Sequence, residues 1–492
     1  MNALAQNGLA QNDLAHPVAA IADRSPLTAR AIKLAAIVVS LLAIGLSIVS
    51  RPDWKLRDFD QVFYVTIAYD LDRYGIFSDG IFDPVDSSVQ PAQPGMFFGP
   101  VFPAMVLAVM KLDPRFADAV RCSVDSNRGH RDESSCDAYQ VPIRILNSVL
   151  LAIGAAAIGL AAELIFGRTL WSFVLADLFA TTALASEGHI FSFVMTESTI
   201  FGIYSVFAWM FLRALMRPTA LRFVVAGATL GVLALTKPSF AAVLPAALAI
   251  IAGAGYWMAK SHGSSIGRHL LAFSLAFGCI VGPWMTRNYI ALGKFGLTKE
   301  YASAALVERF AYDDMSAREF LLTIPYCVPG IGDALFDKVY GSDSMHRFMY
   351  HTSGSFFNTG RDRRNALVEQ YGQMDPLIAQ LIRDEMTSNW WRYLLVSIPL
   401  AWCGMWPGGI VTLLLLPLFL ISAVKKARAG EPALLFYATP AILMLILDAA
   451  VGNHYTRYNL ILIGPYAAGA AAFICSVLPY ARWPARLPAS GS

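Results

Sequence analysis

A series of apolar runs constrains this chain more than any other feature. They lie near 31–50, 98–112, 141–166, 170–187, 190–212, 222–237, 239–258, 269–290, 393–424, 433–451 and 457–479. A helix that crosses a membrane needs about 20 apolar residues, and several runs reach that length. Charged residues make up 15% of the 492 positions, against about 25% in a typical soluble domain. An all-α polytopic membrane protein is therefore expected, and an ordinary cytosolic enzyme is excluded. The 30 Phe and 10 Trp demand burial and exclude disorder for most of the chain. The net charge of +3 points to no nucleic-acid partner. The expected division is a cytosolic tail (1–30), a transmembrane module (31–290) with an external loop at 51–97, an external segment (291–392), C-terminal transmembrane helices (393–480) and a second cytosolic tail (481–492).

Basic residues suggest the orientation. Arg24, Arg30 and Lys33 precede the first run; Arg213, Arg217 and Arg222, then Lys260 and Arg268, then Lys425, Lys426 and Arg428, and finally Arg482 and Arg486 follow. Placed in the cytoplasm, they put 291–392 and the loop around 452–457 outside. The first half does not alternate cleanly. If 98–112 crosses, 113–140 becomes cytoplasmic and the later clusters fall on the wrong side. Either 98–112 stops short or a later run is not a separate span. The 393–424 run is broken at Pro407-Gly408-Gly409, giving either a span plus an interfacial helix or two short helices. The first 24 residues carry a five-residue echo and no secretory signal.

None of the six cysteines forms a Cys-x-x-Cys pair. Cys279, Cys403 and Cys475 lie in apolar runs and are expected to pack there. Cys122 and Cys136 share a polar loop. They form a disulfide if that loop is in an oxidising compartment and remain free thiols if it is cytosolic. No Walker motif, Gly-rich nucleotide loop or solenoid repeat is present.

The sharpest local pattern follows the first run. Phe59, Phe63, Ile67, Leu71 and Tyr74 form one apolar stripe at helical spacing, as expected for a helix lying along a membrane surface. Asp58 and Asp60 stand at its beginning. Each is either a helix cap or an ionised carboxylate at the lipid–water boundary. The latter suits a general base, or a ligand for magnesium or manganese.

Further residues fall in a recognisable order. Asp60, Tyr64, Ala68 and Gly75 are followed by the Pro-rich entry from Gln93-Pro94-Gly95 to Gly99-Pro100. Then come Arg144 with Asn147, Thr196-Glu197, Gly231 with Thr236-Lys237-Pro238, Pro283-Trp284-Met285-Thr286-Arg287-Asn288-Tyr289, and Arg457-Tyr458. Over roughly residues 30–480 this order resembles the GT-C glycosyltransferases, in particular the branch of protein O-mannosyltransferases and lipid A aminoarabinose transferases. Where that branch often has a second acid, this chain has Gln61 and Gln93, leaving Asp83 and Asp86 as nearby candidates.

The resemblance implies a GT-C-like helix bundle. It also implies an inverting transfer of a sugar from a polyprenyl-phosphate donor to a glycan, lipid or protein acceptor. Asp60 matches the base, and Asp58 is an extra carboxylate. A departing lipid phosphate needs cations, for which Lys237, Arg287 and Arg457 are the candidates, with Tyr458 beside Arg457 as a further phosphate-binding residue. For each cation the alternative is snorkelling to the interface. Glu197, His189, His454 and Tyr64 are possible substrate contacts, with Glu187 beside His189. Asp177 and Asp448 pair with other helices on the simplest reading, and His346 and His351 read as surface-loop residues. The resemblance implies a site on the outer side of the membrane, and compactness without an appended soluble domain suggests a bacterial inner (plasma) membrane, with the site facing the periplasm. The alternative function is a transporter or lipid flippase, which predicts inverted repeats around a midplane site.

Overall fold

A computed structural model describes residues 26–80, 92–128, 136–167, 169–262, 266–299, 301–349, 352–372, 376–452 and 455–478. Arg24, Asp83, Asp86, His351, His454, Arg482 and Arg486 lie outside the described residues. The described chain is helical, with no strand. Eight of its helices are long and apolar enough to cross a membrane. The protein is thus an all-α, multi-pass integral membrane protein. Helices suit this setting because each satisfies its own backbone hydrogen bonds, which lipid cannot do.

The helices are α1 (Pro26–Val49), α2 (Gln61–Tyr74), α3 (Val101–Leu112), α4 (Pro114–Asn127), α5 (Val141–Phe166), α6 (Leu170–Ser186), α7 (Glu197–Met216), α8 (Ala220–Thr236), α9 (Val243–His262) and α10 (Ile266–Leu292). They continue with α11 (Tyr301–Phe310), α12 (Ala317–Tyr326), α13 (Gly332–Tyr340), α14 (Phe356–Tyr371), α15 (Pro376–Ser388), α16 (Trp390–Gly404), α17 (Ile410–Arg428), α18 (Ala433–Val451) and α19 (Ile463–Val477).

Side-chain contacts give the bundle two distinct ends. At one, Lys33 of α1 pairs with Glu163 of α5, and Lys426 of α17 lies over Phe166. At the other, Arg144 of α5 donates to the carbonyls of Arg51 and Pro52, and Gln140 bonds the Trp54 carbonyl. Because α1 leaves and α5 begins at this second, Asp60 end, everything from 51 to 140 that is described belongs there. The 98–112 run therefore does not cross. It is α3, a 12-residue helix packed against α2 and α4, and this removes the conflict in the alternation. The Arg213–Arg222 and Lys425–Arg428 clusters then share the Lys33 end, while α6 and α8, each 17 residues, run between the same two ends as the longer helices.

Two local expectations change. The buried residues of α2 are Gln61, Val62 and Val65–Asp70, which include only Ile67 of the Phe59–Tyr74 stripe. Phe59 is 53% and Tyr74 40% exposed. Spacing alone could not foresee that α3 and α4 supply the apolar cover, with Phe102, Val106, Phe116 and Val120 in one core with Val65 and Tyr69. Likewise Cys403 does not merely pack. It is bonded to Cys327, a partner 76 positions away that lies on the 291–392 segment. Cys122 and Cys136 form the second disulfide; Cys279 and Cys475 are free. The broken run becomes α16 and the longer α17, joined through Pro407-Gly408-Gly409.

The 291–392 segment is locked onto the bundle by one buried side chain. Arg309 of α11 donates to the carbonyls of Ala449 and Tyr393, to Ser397 Oγ and to Asp313. Such a charge is stable in the interior only when paired and fully hydrogen-bonded. Trp402 adds a bond to the Ile324 carbonyl.

Candidate functional site

The site begins at a strained turn. Phe59 has φ 56°, in the left-handed region that costs a non-glycine residue about 1–3 kcal/mol. Its ring packs against Trp54 and Phe193. Asp60, next in the chain, precedes α2 yet makes no side-chain cap bond. Its Oδ2 accepts from Arg457 Nη2 at 2.9 Å, across 397 positions. Asp58 behaves differently. Its Oδ2 accepts from the Lys55 backbone N–H at 3.1 Å, which closes the turn before the helix. Neither carboxylate therefore caps α2: Asp60 holds the N-cap position without a side-chain cap bond, and Asp58 bonds backward to Lys55.

Around Arg457 the structure gathers residues from four separate regions. Its Nη2 also donates to Tyr458 Oη at 3.0 Å. Its Nε stands 3.9 Å from Glu197 Oε1, and its guanidinium lies over the rings of Tyr455 and Tyr458. Glu197 opens α7 and is 8% exposed; its Oε2 has no hydrogen-bond partner. Lys237, between α8 and the turn at Pro238, places Nζ 4.1 Å from the centroid of Tyr458. Asp448 of α18 is close enough to interact electrostatically with Lys237. Asp60, Glu197, Lys237, Arg457 and Tyr458 thus form one cluster, mixing acids and bases at the ends of α2, α7, α8 and the segment leading into α19.

Gly99 allows the Pro-rich entry to reach this cluster. A Cβ there would lie 2.1 Å from the Leu235 carbonyl oxygen, so only glycine lets the loop touch the end of α8 beside Lys237. Tyr64 packs its ring against Phe98 and Phe102, which flank that glycine.

From the other side comes the 291–392 segment. Glu308 of α11 bonds Arg364 of α14 at 2.5 Å and is near enough to Asp60 for their charges to interact. Burial pushes the Glu308 carboxyl up, against the opposing pull of Arg364 and Arg361. Gly360 permits this approach, since a Cβ there would meet the Glu308 carbonyl oxygen at 2.5 Å. Sequence reasoning assigned no role to Glu308, Arg361 or Arg364, because no local pattern ties them to Asp60.

Other candidates have structural partners elsewhere. Arg287 donates to the carbonyls of Gly95 at 2.6 Å and Phe77 at 3.0 Å, and stacks against Trp284. With Asp79, whose Oδ1 accepts from the Met96 and Phe97 N–H groups, it fastens the loop to α10. It does not join the Arg457 cluster. His189 is exposed and faces Glu187 at 4.0 Å, and Glu187 accepts from the Gly408 N–H, so this pair braces the α6–α17 junction. Arg144 and Asn147 bind backbone carbonyls of 51–52 and 191–193. Asp177 accepts from Ser40 of α1, and His346 contacts the Ser353 carbonyl.

Asp60 shares its carboxylate with a guanidinium and Asp58 with a backbone amide. Among the described residues no group of three His, Cys, Asp or Glu is arranged to hold a metal ion. The chain matches no protein-family model, and no curated protein shows significant similarity to it.

Proposed function

We propose that the protein is an inverting glycosyltransferase that moves a sugar from a polyprenyl-phosphate donor to a hydroxyl-bearing acceptor, with Asp60 as general base. The observation that carries this reading is the Asp60–Arg457 contact beside Lys237. It sets a half-exposed carboxylate next to two cations at the ends of membrane helices. The acceptor O–H gives its proton to Asp60 as its oxygen attacks the anomeric carbon. The bond from that carbon to the phosphate oxygen breaks, and its electron pair leaves on the phosphate. Arg457 and Lys237 stabilise that charge as it develops, the kind of contact most valuable in the transition state. A phosphate drawn onto Arg457 also loosens its hold on Asp60. Tyr455 and Tyr458 flank the guanidinium and offer ring faces for the sugar. The sequence resemblance to GT-C enzymes supports the same assignment of Asp60.

The Asp60 end is proposed to face the periplasm or an equivalent oxidising compartment. Two observations support this. The basic clusters gather at the opposite end, where the positive-inside tendency wants them, and both disulfides lie at the Asp60 end. A lipid-carried donor suits a side without nucleotide sugars.

The buried Glu197 and the partly buried Lys237 and Asp448 favour a second reading, a transporter or lipid flippase, since ionisable groups at helix ends are also used to move solutes. One experiment separates them. Glycans and glycolipids are profiled in a deletion strain complemented with wild type or with Asp60→Asn. Loss of one sugar in the deletion, restored by wild type only, is expected. Full restoration by Asp60→Asn removes the catalytic assignment. Unchanged glycans together with a collapsed solute gradient establish transport instead.

A further inference from the structure

The Lys33 end carries a separate feature. A pocket of about 380 Å³ opens between α1, α5, α6 and the end of α7. Lys33, Glu163, Trp209, Arg213, Met216 and Arg217 line it together with leucines of α5 and α6. Lys33 is neutralised by Glu163 at 2.5 Å. Arg213 rests near the Trp209 ring, and among the described residues neither Arg213 nor Arg217 has a carboxylate in salt-bridge reach. The pocket therefore holds an excess of two guanidinium charges over apolar walls. It also opens beside the outer surface of α1, where Leu34 is 63% and Val38 46% exposed, and where Trp171 of α6 is 61% exposed.

We propose that this pocket binds the headgroup of an anionic glycerophospholipid. Arg213 and Arg217 hold the phosphodiester through planar, bidentate contacts, Trp209 and Met216 pack on the glycerol backbone, and the acyl chains run along the exposed face of α1. Basic pockets between helices are suited to such headgroups. A soluble phosphate would use the arginines but leave the apolar walls and the α1 face without a role. The proposal does not rest on the transferase reading.

The test uses the full chain in neutral detergent. Native mass spectrometry measures binding of phosphatidylglycerol, phosphatidylcholine and, as a soluble competitor, glycerol 3-phosphate. Phosphatidylglycerol is expected to bind at least about tenfold more tightly than phosphatidylcholine, and Arg213→Gln/Arg217→Gln to weaken it by roughly 30-fold. Lys425→Gln/Lys426→Gln removes as many cations from the same end but outside the pocket, and should change binding by less than about twofold on the same scale. Glu163→Gln frees Lys33 and should tighten binding, a direction that misfolding does not produce. Equal binding of the two lipids, equal losses in the two double variants, no tightening in Glu163→Gln, or full displacement by glycerol 3-phosphate at matching concentration would each overturn the proposal.

Discussion

The two ends of the bundle handle charge in opposite ways. At the Lys33 end the connections are short, as between α5 and α6 or α7 and α8, and basic residues project in excess of their few acidic partners. At the Asp60 end the chain invests the described residues of 51–140 and 293–409. Its charges are interleaved: Arg457 with Asp60 and Glu197, Arg364 with Glu308, Arg309 with Asp313, Arg128 with Asp70. Unpaired cations facing a lipid surface cost little, because they keep water and lipid phosphates within reach. Charges taken under loops and helix ends lose that solvent and must find protein partners. The difference is that the second end brings acids and bases together into one candidate site, whereas the first leaves its cations largely open.

The largest effect expected is all-or-none. In a Cys279→Ser/Cys475→Ser background, Asp137→Cys and Ala429→Cys should react with a membrane-impermeant maleimide from opposite faces of sealed vesicles. Labelling of both from one face would end the two-sided picture. Next comes the contrast between two neighbouring acids. Asp60→Asn should lower the transfer rate by about 10²–10⁴-fold, the usual contribution of a general base. Asp58→Asn, which perturbs only a turn contact, should cost less than about threefold, the low end of what a single hydrogen bond contributes. Equal losses would dissolve the distinction drawn from their hydrogen bonds.

Removing the Cys327–Cys403 bond by double Ser substitution should destabilise the Asp60 end by about 4 kcal/mol, from the loop-closure entropy of its 76-position span. Hydrogen exchange should quicken in α12 and α16 and stay unchanged around Lys33. Arg287→Leu should loosen the backbone around Phe77 and Gly95 in the same measurement at a cost of about 1–3 kcal/mol, since the buried Gly95 carbonyl loses its donor and the Phe77 carbonyl keeps only the Gly95 N–H. The smallest effect concerns Asp72, whose carboxyl is held below its usual value by hydrogen bonds from Lys111 and Arg121. Its folded value is depressed, so its stabilisation is present above the unfolded carboxylate range and is lost as pH falls through the folded value. Both partners are half-exposed or more, so screening limits the contribution to about 1 kcal/mol or less. Asp72→Asn should therefore flatten the acid limb of the stability curve only slightly.

Much of the architecture was legible in the chain because lipid imposes a local rule: a crossing helix must be apolar along its own length. That rule places α1, α5, α9, α10 and α18 to within a few residues of their apolar runs. It fails at α3, which is as apolar as a span but too short, and whose ends are held at one end of the bundle by α2, α4 and Gly99. Asp60, Lys237 and Arg457 stood out through their positions at helix ends. Arg287 stood out equally, yet its donors are taken up by two carbonyls that no spacing reveals.

What the sequence determined alone is the all-α, membrane-crossing plan and the uneven distribution of basic residues, since apolar length and charge are properties of contiguous segments. Which side chains meet was decided by the tertiary structure. The Asp60–Arg457 pair, the Cys327–Cys403 bond, the Arg309 lock and the approach of Glu308 each join positions far apart in the chain. Such contacts depend on how helices pack, and helical periodicity, which repeats every few residues, carries no record of that.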